Sequence, residues 1–244
     1  MTLYSIKRPE QAWYGESIGI LILDASYPCI PGNIGNANTF PFPVRYEKVQ
    51  GASIDRLLNQ RDPELAIPFI DAALRLYKSG VYAITGACGF MALFQQEVAQ
   101  RLEIPVFLSS LLQIPFIYQI TGKKIGIITA NSSCLRPKHF TSTGISDKIP
   151  LVIAGMEDKP EFRDAILNEK GTLDSLKIQN EVVEVASIMV AKNPDIGSIL
   201  LECSDLPPYA HAVQNAVNLP VFDFFTMINY VHTALVRKSF SGFM

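Results

Sequence analysis

Cys88-Gly89-Phe90-Met91 leads, sixteen positions on, to Ile104-Pro105-Val106-Phe107, and Cys203-Ser204-Asp205-Leu206 leads at the same interval to Leu219-Pro220-Val221-Phe222. The offset between the two stretches is 115 residues, and in the same register Val98 answers Val213 and Phe94 answers Tyr209. Ile18-Gly19-Ile20 echoes Ile125-Gly126-Ile127 at an offset of 107, a difference that an insertion or deletion in an intervening loop explains. Two copies of one α/β unit follow. In each copy a cysteine stands where a strand ends and a helix begins, the carboxyl edge at which open parallel sheets bind their ligands. If a pseudo-twofold axis relates the copies, the two thiols meet at an inter-domain cleft.

Outward from these motifs, short apolar runs rich in β-branched residues alternate with stretches of helical spacing, the pattern of a parallel sheet covered by helices. Strands are expected over 18–24, 44–49, 82–85, 106–108, 125–130, 151–154, 198–202 and 221–222, enough for two small sheets. Helices are expected over 63–78, 89–102, 174–192, 207–217 and 224–236, the first with Asp62 as N-cap and proline at its first position. Pro68 should lie near the first turn of that helix or kink it. Residues 25–43, crowded with Pro, Gly and Asn, should hold no more than a turn of helix and form a lid or binding loop, or else a plain surface excursion.

A thiol at a helix start lies beside unpaired N–H groups and the positive end of the helix dipole, which should lower its pKa. The same N–H groups can hold a carboxylate or a developing enolate. Two such ends face to face place a base on one side of a carbon and an acid on the other, so Cys88 and Cys203 are the expected catalytic pair. Asp24, Ser26, Asn131, Ser132 and Ser133 follow the first strand of each half and can reach the cleft, although small polar residues there also cap turns. Thr85, Gly89 and Phe90 around the first thiol and Ser204 and Asp205 beside the second complete the expected substrate-binding set. Asp205 is double-edged, since a carboxylate raises a nearby thiol's pKa unless it points away or binds an ammonium group. Cys134 reads as structural and Cys29 as undecided. His139, His211 and His232 have no metal-site spacing, so no metal is expected, and Trp13 and the many phenylalanines read as core or interface residues.

A formal charge of -2 over 244 residues, with both signs mixed along the chain, offers no basic stripe for nucleic acid and no membrane patch. The hydrophobic content of 48% can fill substantial cores. Four cysteines without a C-x-x-C pair argue against a zinc knuckle or disulfide framework. No leader-like apolar stretch follows the first basic residues and no run has membrane-spanning length, so a cytoplasmic protein is expected. Neither a phosphate loop nor a dinucleotide fingerprint is present and no lysine sits in a pyridoxal phosphate signature, so no cofactor is expected. The expected partners are a small carboxylate or amino-acid substrate and, from apolar stretches near the C-terminus, further copies of the chain as a homo-oligomer.

The stretches Thr85-Gly86-Ala87-Cys88-Gly89-Phe90 and Leu200-Leu201-Glu202-Cys203-Ser204-Asp205-Leu206-Pro207-Pro208 resemble the aspartate/glutamate/hydantoin racemase superfamily, which includes maleate isomerases and arylmalonate decarboxylases. The resemblance covers nearly the whole chain. It implies an α/β fold of two pseudosymmetric three-layer αβα domains, each with a mostly parallel four-stranded sheet, and an active-site cleft between them. It also implies that the C-terminal helix returns to the first domain, giving 1–121 plus 223–244 as one domain and 122–222 as the other. Members lacking the first thiol decarboxylate, so two thiols favour a cofactor-independent racemase, epimerase or isomerase. The amino-acid racemases usually carry Asn-Thr after the first cysteine and Thr after the second, where this chain has Gly89-Phe90 and Ser204-Asp205. Leu23-Asp24-Ala25-Ser26-Tyr27-Pro28, Pro31-Gly32-Asn33-Ile34-Gly35-Asn36 and Phe42-Pro43-Val44 are similar to a less characterised branch and to the algal dimethylsulfoniopropionate lyases, which implies a β-elimination lyase as the alternative. A two-lobed small-molecule binder without turnover is the non-enzyme alternative.

Overall fold

In the computed structural model, which describes residues 3–6, 8–9 and 11–244, the eight expected strands form two four-stranded sheets. Met1, Thr2, Lys7 and Glu10, in the segment where no leader was expected, lie outside that description. The first sheet has the order β2-β1-β3-β4, with β1 Ile18–Ile22, β2 Val44–Lys48, β3 Ala83–Gly86 and β4 Val106–Phe107. The second repeats it as β6-β5-β7-β8, with β5 Lys124–Thr129, β6 Leu151–Gly155, β7 Ile196–Leu201 and β8 Val221–Phe222. Every pairing is parallel.

The duplication extends to single hydrogen bonds. Ala87 N–H donates to the Leu21 carbonyl and Glu202 N–H to the Ile128 carbonyl, both at 2.8 Å. Val49 N–H reaches the Ile22 carbonyl at 2.9 Å as Met156 N–H reaches that of Thr129 at 3.0 Å. Each half also carries a π-helical turn, Asp55–Gln60 and Arg163–Leu167, with a left-handed residue just beyond it, Arg61 (φ 51°) and Glu169 (φ 50°). These turns reach across to the opposite half: the Cys134 thiol donates to Asn59 Oδ1 at 3.4 Å, and the Ser26 amide donates to Glu169 Oε1 at 2.5 Å.

The helices are α1 Ala66–Ser79, α2 Gln95–Ala99, α3 Ile114–Thr121, α4 Pro137–Ser142, α5 Pro160–Phe162, α6 Ser175–Lys192, α7 Ala210–Val217 and α8 Phe224–Leu235. Asp62 caps a single 3-10 turn ahead of α1, accepting from Glu64 N–H, and Pro68 lies in the first turn of α1, where its missing N–H costs nothing. The helix expected over 89–102 is corrected to a buried 3-10 segment, Gly89–Phe94, followed by the short α2. Gln95 explains the break, because its amide bridges the Val106 carbonyl (2.9 Å) and the Leu108 N–H (2.8 Å) and so ties the chain to the end of β4. Before α7 the chain likewise runs through a 3-10 turn, Pro207–Tyr209.

Successive residues of β1 face opposite layers. Leu21 joins the main core with Phe69, Ala73 and Leu76 of α1, whereas Ile18 and Ile20 pack with Phe224, Met227 and Ile228 of α8. Asp223 starts α8 with a capping box, its carboxylate accepting from Thr226 N–H at 2.7 Å. Trp13 is not in the core: it is exposed, with the Arg45 guanidinium 4.3 Å over its ring. No helix among the described residues is long and apolar enough to cross a membrane.

Candidate active site

Cys88 follows β3 and Cys203 follows β7, so the equal order of the two sheets places both thiols at carboxyl edges. The two edges abut. The Ser204 hydroxyl donates to the Ala87 carbonyl at 2.7 Å, and the Ser110 hydroxyl donates to the Glu202 carbonyl at 3.1 Å. Gly89 lies so close to Glu202 that a Cβ on it would fall 2.0 Å from the carboxylate. Cys203 is 5% exposed and Cys88 half-buried, and each thiol lies within the other's electrostatic reach.

Loop 25–43 closes over this junction and holds one turn of helix, Ala37–Thr39. Gly32, with φ 98°, packs against Pro208, where a Cβ would meet its backbone at 2.9 Å. Ile34 N–H donates to the Ser204 carbonyl at 3.3 Å. Asn33 Nδ2 donates to Asp205 Oδ1 at 2.5 Å, while Asp205 Oδ2 accepts from the Cys203 thiol at 3.3 Å and the Tyr27 hydroxyl at 3.5 Å. Ile22, Leu23, Ala25, Tyr27, Cys29 and Asn33, with Gly35 and Ala87, line a cavity of about 70 Å³ beside the first thiol's strand end. A wider depression of about 760 Å³ opens at the amino-terminal edge of the first sheet, beside Ser17, Tyr82 and His232, and includes neither Cys88 nor Cys203.

The resting thiols are not acidified, which corrects the expectation of lowered pKa values. N–H groups of Phe90 and Met91 favour the Cys88 thiolate, but burial and then the Glu202 charge outweigh them and push the thiol up. Burial and Asp205 do the same to Cys203. Asp205 therefore does not point away from its thiol, and burial raises its own pKa against the hydrogen bonds from Asn33, Cys203 and Tyr27. Glu202, fully buried, is pushed up to about 7 by burial, opposed by a 2.8 Å hydrogen bond from Thr129 Oγ1 to its Oε2. Its Oε1 has no partner. Cys29 rises to about 11 by burial and then by Asp205.

Several expected binding residues make contacts within the fold. Asp24 forms an exposed ion pair with Lys48 at 3.0 Å and accepts from Gly51 N–H. Ser26 is spent through its amide on Glu169. Asn131 caps the turn Ser132–Cys134 by accepting from Ser133, and Ser132 is engaged by Glu157. Thr85, fully buried, donates to the Phe107 carbonyl at 2.8 Å, and Phe90 packs edge-on against His139. Gly89, Ser204 and Asp205 do stand at the thiols. Tyr27, Asn33 and Glu202 join them and were not among the expected site residues.

The histidines are dispersed: His139 is buried, His211 pairs with Asn215 on α7, and His232 stacks on Phe42. Among the described residues no group of three or more His, Cys, Asp or Glu is placed to hold a metal ion.

The two α/β halves, with a thiol at each facing sheet edge, have the fold seen in arylmalonate decarboxylase and in allantoin racemase. Solved structures agree at the level of fold: an arylmalonate decarboxylase variant with associated sulfate superposes with a TM-score of 0.63 at 13% identity, over 91% of this chain and 95% of that one. Allantoin racemase from Pseudomonas fluorescens gives 0.61 at 14% identity, over 90% and 91%. Closer similarity lies in sequence. The chain is 36% identical over 215 residues to a dimethylsulfoniopropionate lyase of Durusdinium sp. clade D, covering 85% of this chain and 71% of that protein. It is 34% identical over 231 residues to dimethylsulfoniopropionate lyase 3 of Emiliania huxleyi, covering 90% of this chain and 60% of that protein. The chain belongs to the dimethylsulfoniopropionate lyase family. No protein-family model matches it.

Proposed function

We propose that this chain is a cofactor-independent lyase that eliminates a neutral sulfide from a small sulfonium carboxylate of the dimethylsulfoniopropionate type. One observation carries the reading beyond family likeness: two buried carboxyl groups, Glu202 and Asp205, flank the thiols, and their negative charge acts on both of them. Buried negative charge without a partner is costly, and a substrate cation removes that cost. A thiolate takes the proton from the carbon beside the substrate carboxylate. The released electron pair forms the Cα–Cβ double bond, the Cβ–S bond breaks, and its electrons leave on sulfur. For dimethylsulfoniopropionate the products are acrylate, dimethyl sulfide and one proton. The two thiols have unlike surroundings, Glu202 beside Cys88 and a hydrogen-bonded Asp205 beside Cys203, which suits a reaction with one base and one direction.

Racemisation or epimerisation shares the first step, and the matching repeat positions of the two thiols favour it. Incubation with dimethylsulfoniopropionate in deuterated water separates the two. Acrylate by NMR with dimethyl sulfide in the headspace is expected, and Cys88→Ala and Cys203→Ala should each lower that yield by about 100-fold or more. Deuterium at Cα of amino acids or other carboxylates without acrylate would point to the racemase. Neither acrylate nor exchange across a panel of small acids would overturn both.

A further inference from the structure

Every polar group of Asn33 is engaged. Its N–H donates to the Ile30 carbonyl at 3.0 Å, its carbonyl accepts from Asn36 N–H at 3.1 Å and from Thr39 Oγ1 at 2.7 Å, and its side-chain Oδ1 accepts from Gly35 N–H at 2.7 Å. These bonds wind the loop around a side chain that is 3% exposed. They also fix which way the amide faces, because turning it over would set two donors, Nδ2 and the Gly35 N–H, against each other. Nδ2 therefore points out of the loop, where it donates to Asp205 Oδ1 in the other half at 2.5 Å.

Asp205 passes the contact on. With Oδ1 taken by Asn33, Oδ2 accepts from the Cys203 thiol at 3.3 Å and from the Tyr27 hydroxyl at 3.5 Å. A carboxylate is planar, so the oxygen held by the loop decides where the other one lies. The repeat does not require this acid: 115 positions earlier stands Phe90, packed edge-on against His139, so the first thiol has no carboxyl at the matching position.

We infer that Asn33 is a positioning residue for Cys203: by holding Asp205 Oδ1 it turns Oδ2 to the thiol, so that seating of loop 25–43 and alignment of the second sulfur are one event. The inference deepens the lyase reading by naming the residue through which the loop sets the site, and its test needs no turnover. A substrate entering under an unseated loop meets a second thiol that is free to turn, and closure behind it brings the sulfur into register. Asn33, Tyr27 and Cys29 face Asp205 from the loop, Cys203 from its own sheet edge, Cys88 from the first edge and Tyr209 from the turn before α7. The Asn33 bond is the shortest of those to the carboxylate.

The experiment is a double-mutant cycle on the rate of Cys203 alkylation by iodoacetamide, read by mass spectrometry of the Cys203 peptide. Asn33→Ala and Asp205→Ala should each speed alkylation by about tenfold or more, since each frees the loop and takes the oriented acceptor from the thiol. If Asn33 acts through Asp205, adding Asn33→Ala to Asp205→Ala changes the rate by less than about twofold. An Asn33→Ala variant that reacts like wild type, or one that gains the same factor with and without Asp205, would overturn the inference. Asn33→Asp guards against a loop that merely fails to fold, because it keeps the shape and the acceptor for Gly35 but faces Asp205 with a second carboxyl. The two acids share a proton and stay joined near about pH 5, and both ionise and repel near about pH 8. Protection of the Ile34 amide, which donates to the Ser204 carbonyl, should match wild type at the lower pH and fall about tenfold at the higher. Protection that tracks wild type at both would also overturn the inference. Failure of the lyase reading appears separately, as absence of acrylate from a protein whose Cys203 still answers to Asn33 only through Asp205.

Discussion

The Ser204 hydroxyl donates to the Ala87 carbonyl at 2.7 Å although the two residues are 117 positions apart in the chain. Each is the immediate neighbour of a site cysteine, so one hydrogen bond fixes the two sheet edges against one another beside the thiols. Ser204 is 2% exposed, and removing its hydroxyl leaves a buried carbonyl with one partner fewer. Ser204→Ala should lower stability by about 1–3 kcal/mol and lower turnover more than Tm, since it loosens the sulfur geometry itself. Urea unfolding beside the acrylate assay checks both. A loss of stability with unchanged turnover would show that the edge contact does not position the thiols.

The buried carboxyl groups give stability a pH dependence whose sign can be worked out. Glu202 has an ordinary pKa of 4.5 and a folded value of about 7, so the native state binds its proton more tightly. Its contribution is complete below the ordinary value and is lost as pH climbs through the folded one. His139 runs the other way: burial lowers it from 6.5 to about 4, so its contribution is present above 6.5 and lost as pH falls toward the folded value. Because the two oppose each other, the wild-type curve alone is uninformative. Glu202→Gln isolates one of them and should gain stability over wild type by up to about 3 kcal/mol at pH 8, but little at pH 4. Urea midpoints at both pH values test this, and an equal difference at both would mean that Glu202 is not titrating.

The cross-domain contacts from the π-helical turns should hold the cleft mouth shut. Glu169 accepts from the Ser26 amide at the start of loop 25–43, and both residues are exposed. An exposed hydrogen bond contributes little to global stability, so Glu169→Ala should change Tm by a degree or less while the Ser26 amide exchanges faster. Hydrogen exchange by NMR reads that amide directly. Unchanged protection would mean that the loop is held by its contacts with Asp205, Ser204 and Pro208 and not by Glu169.

Much of the architecture was legible because each strand is an apolar run bounded by breakers, and Ile18-Gly19-Ile20 or Ile125-Gly126-Ile127 can do little else in a covered parallel sheet. The ends slipped by one or two residues, as at Leu23, where backbone pairing stops before hydrophobicity does. Helices α3 and α4 escaped notice because both are short and carry proline in the first turn, Pro115 and Pro137, which reads as a breaker until a helix start is placed there. The thiol pair was found through repetition, but its electrostatics were not. Spacing locates Cys88 at a turn rich in N–H groups, whereas the opposing charge comes from Glu202 in the other domain. One signal was available: a charged residue closing the apolar run Ile199-Leu200-Leu201, where the other half has alanine. Nothing in the Pro- and Gly-rich loop indicates that Tyr27 and Asn33 turn toward Asp205, since that depends on how Gly32 meets Pro208.

Gly89 carries the last prediction. A Cβ there would lie 2.0 Å from Glu202 Oε1 and 2.6 Å from the Glu202 backbone carbonyl oxygen. The carboxylate can swing aside, but the carbonyl oxygen is held by β7 and by Ser110 Oγ, so the strain must part the two domains. Gly89→Ala should therefore cost about 1–3 kcal/mol or more and abolish turnover while leaving each sheet intact. The double variant Gly89→Ala with Glu202→Ala decides which atom matters. If the backbone contact governs, it stays at least as unstable as Gly89→Ala alone in urea unfolding; recovery of stability would mean that the carboxylate was the only obstacle, and the two edges would then meet less tightly than Ser204 and Ala87 imply.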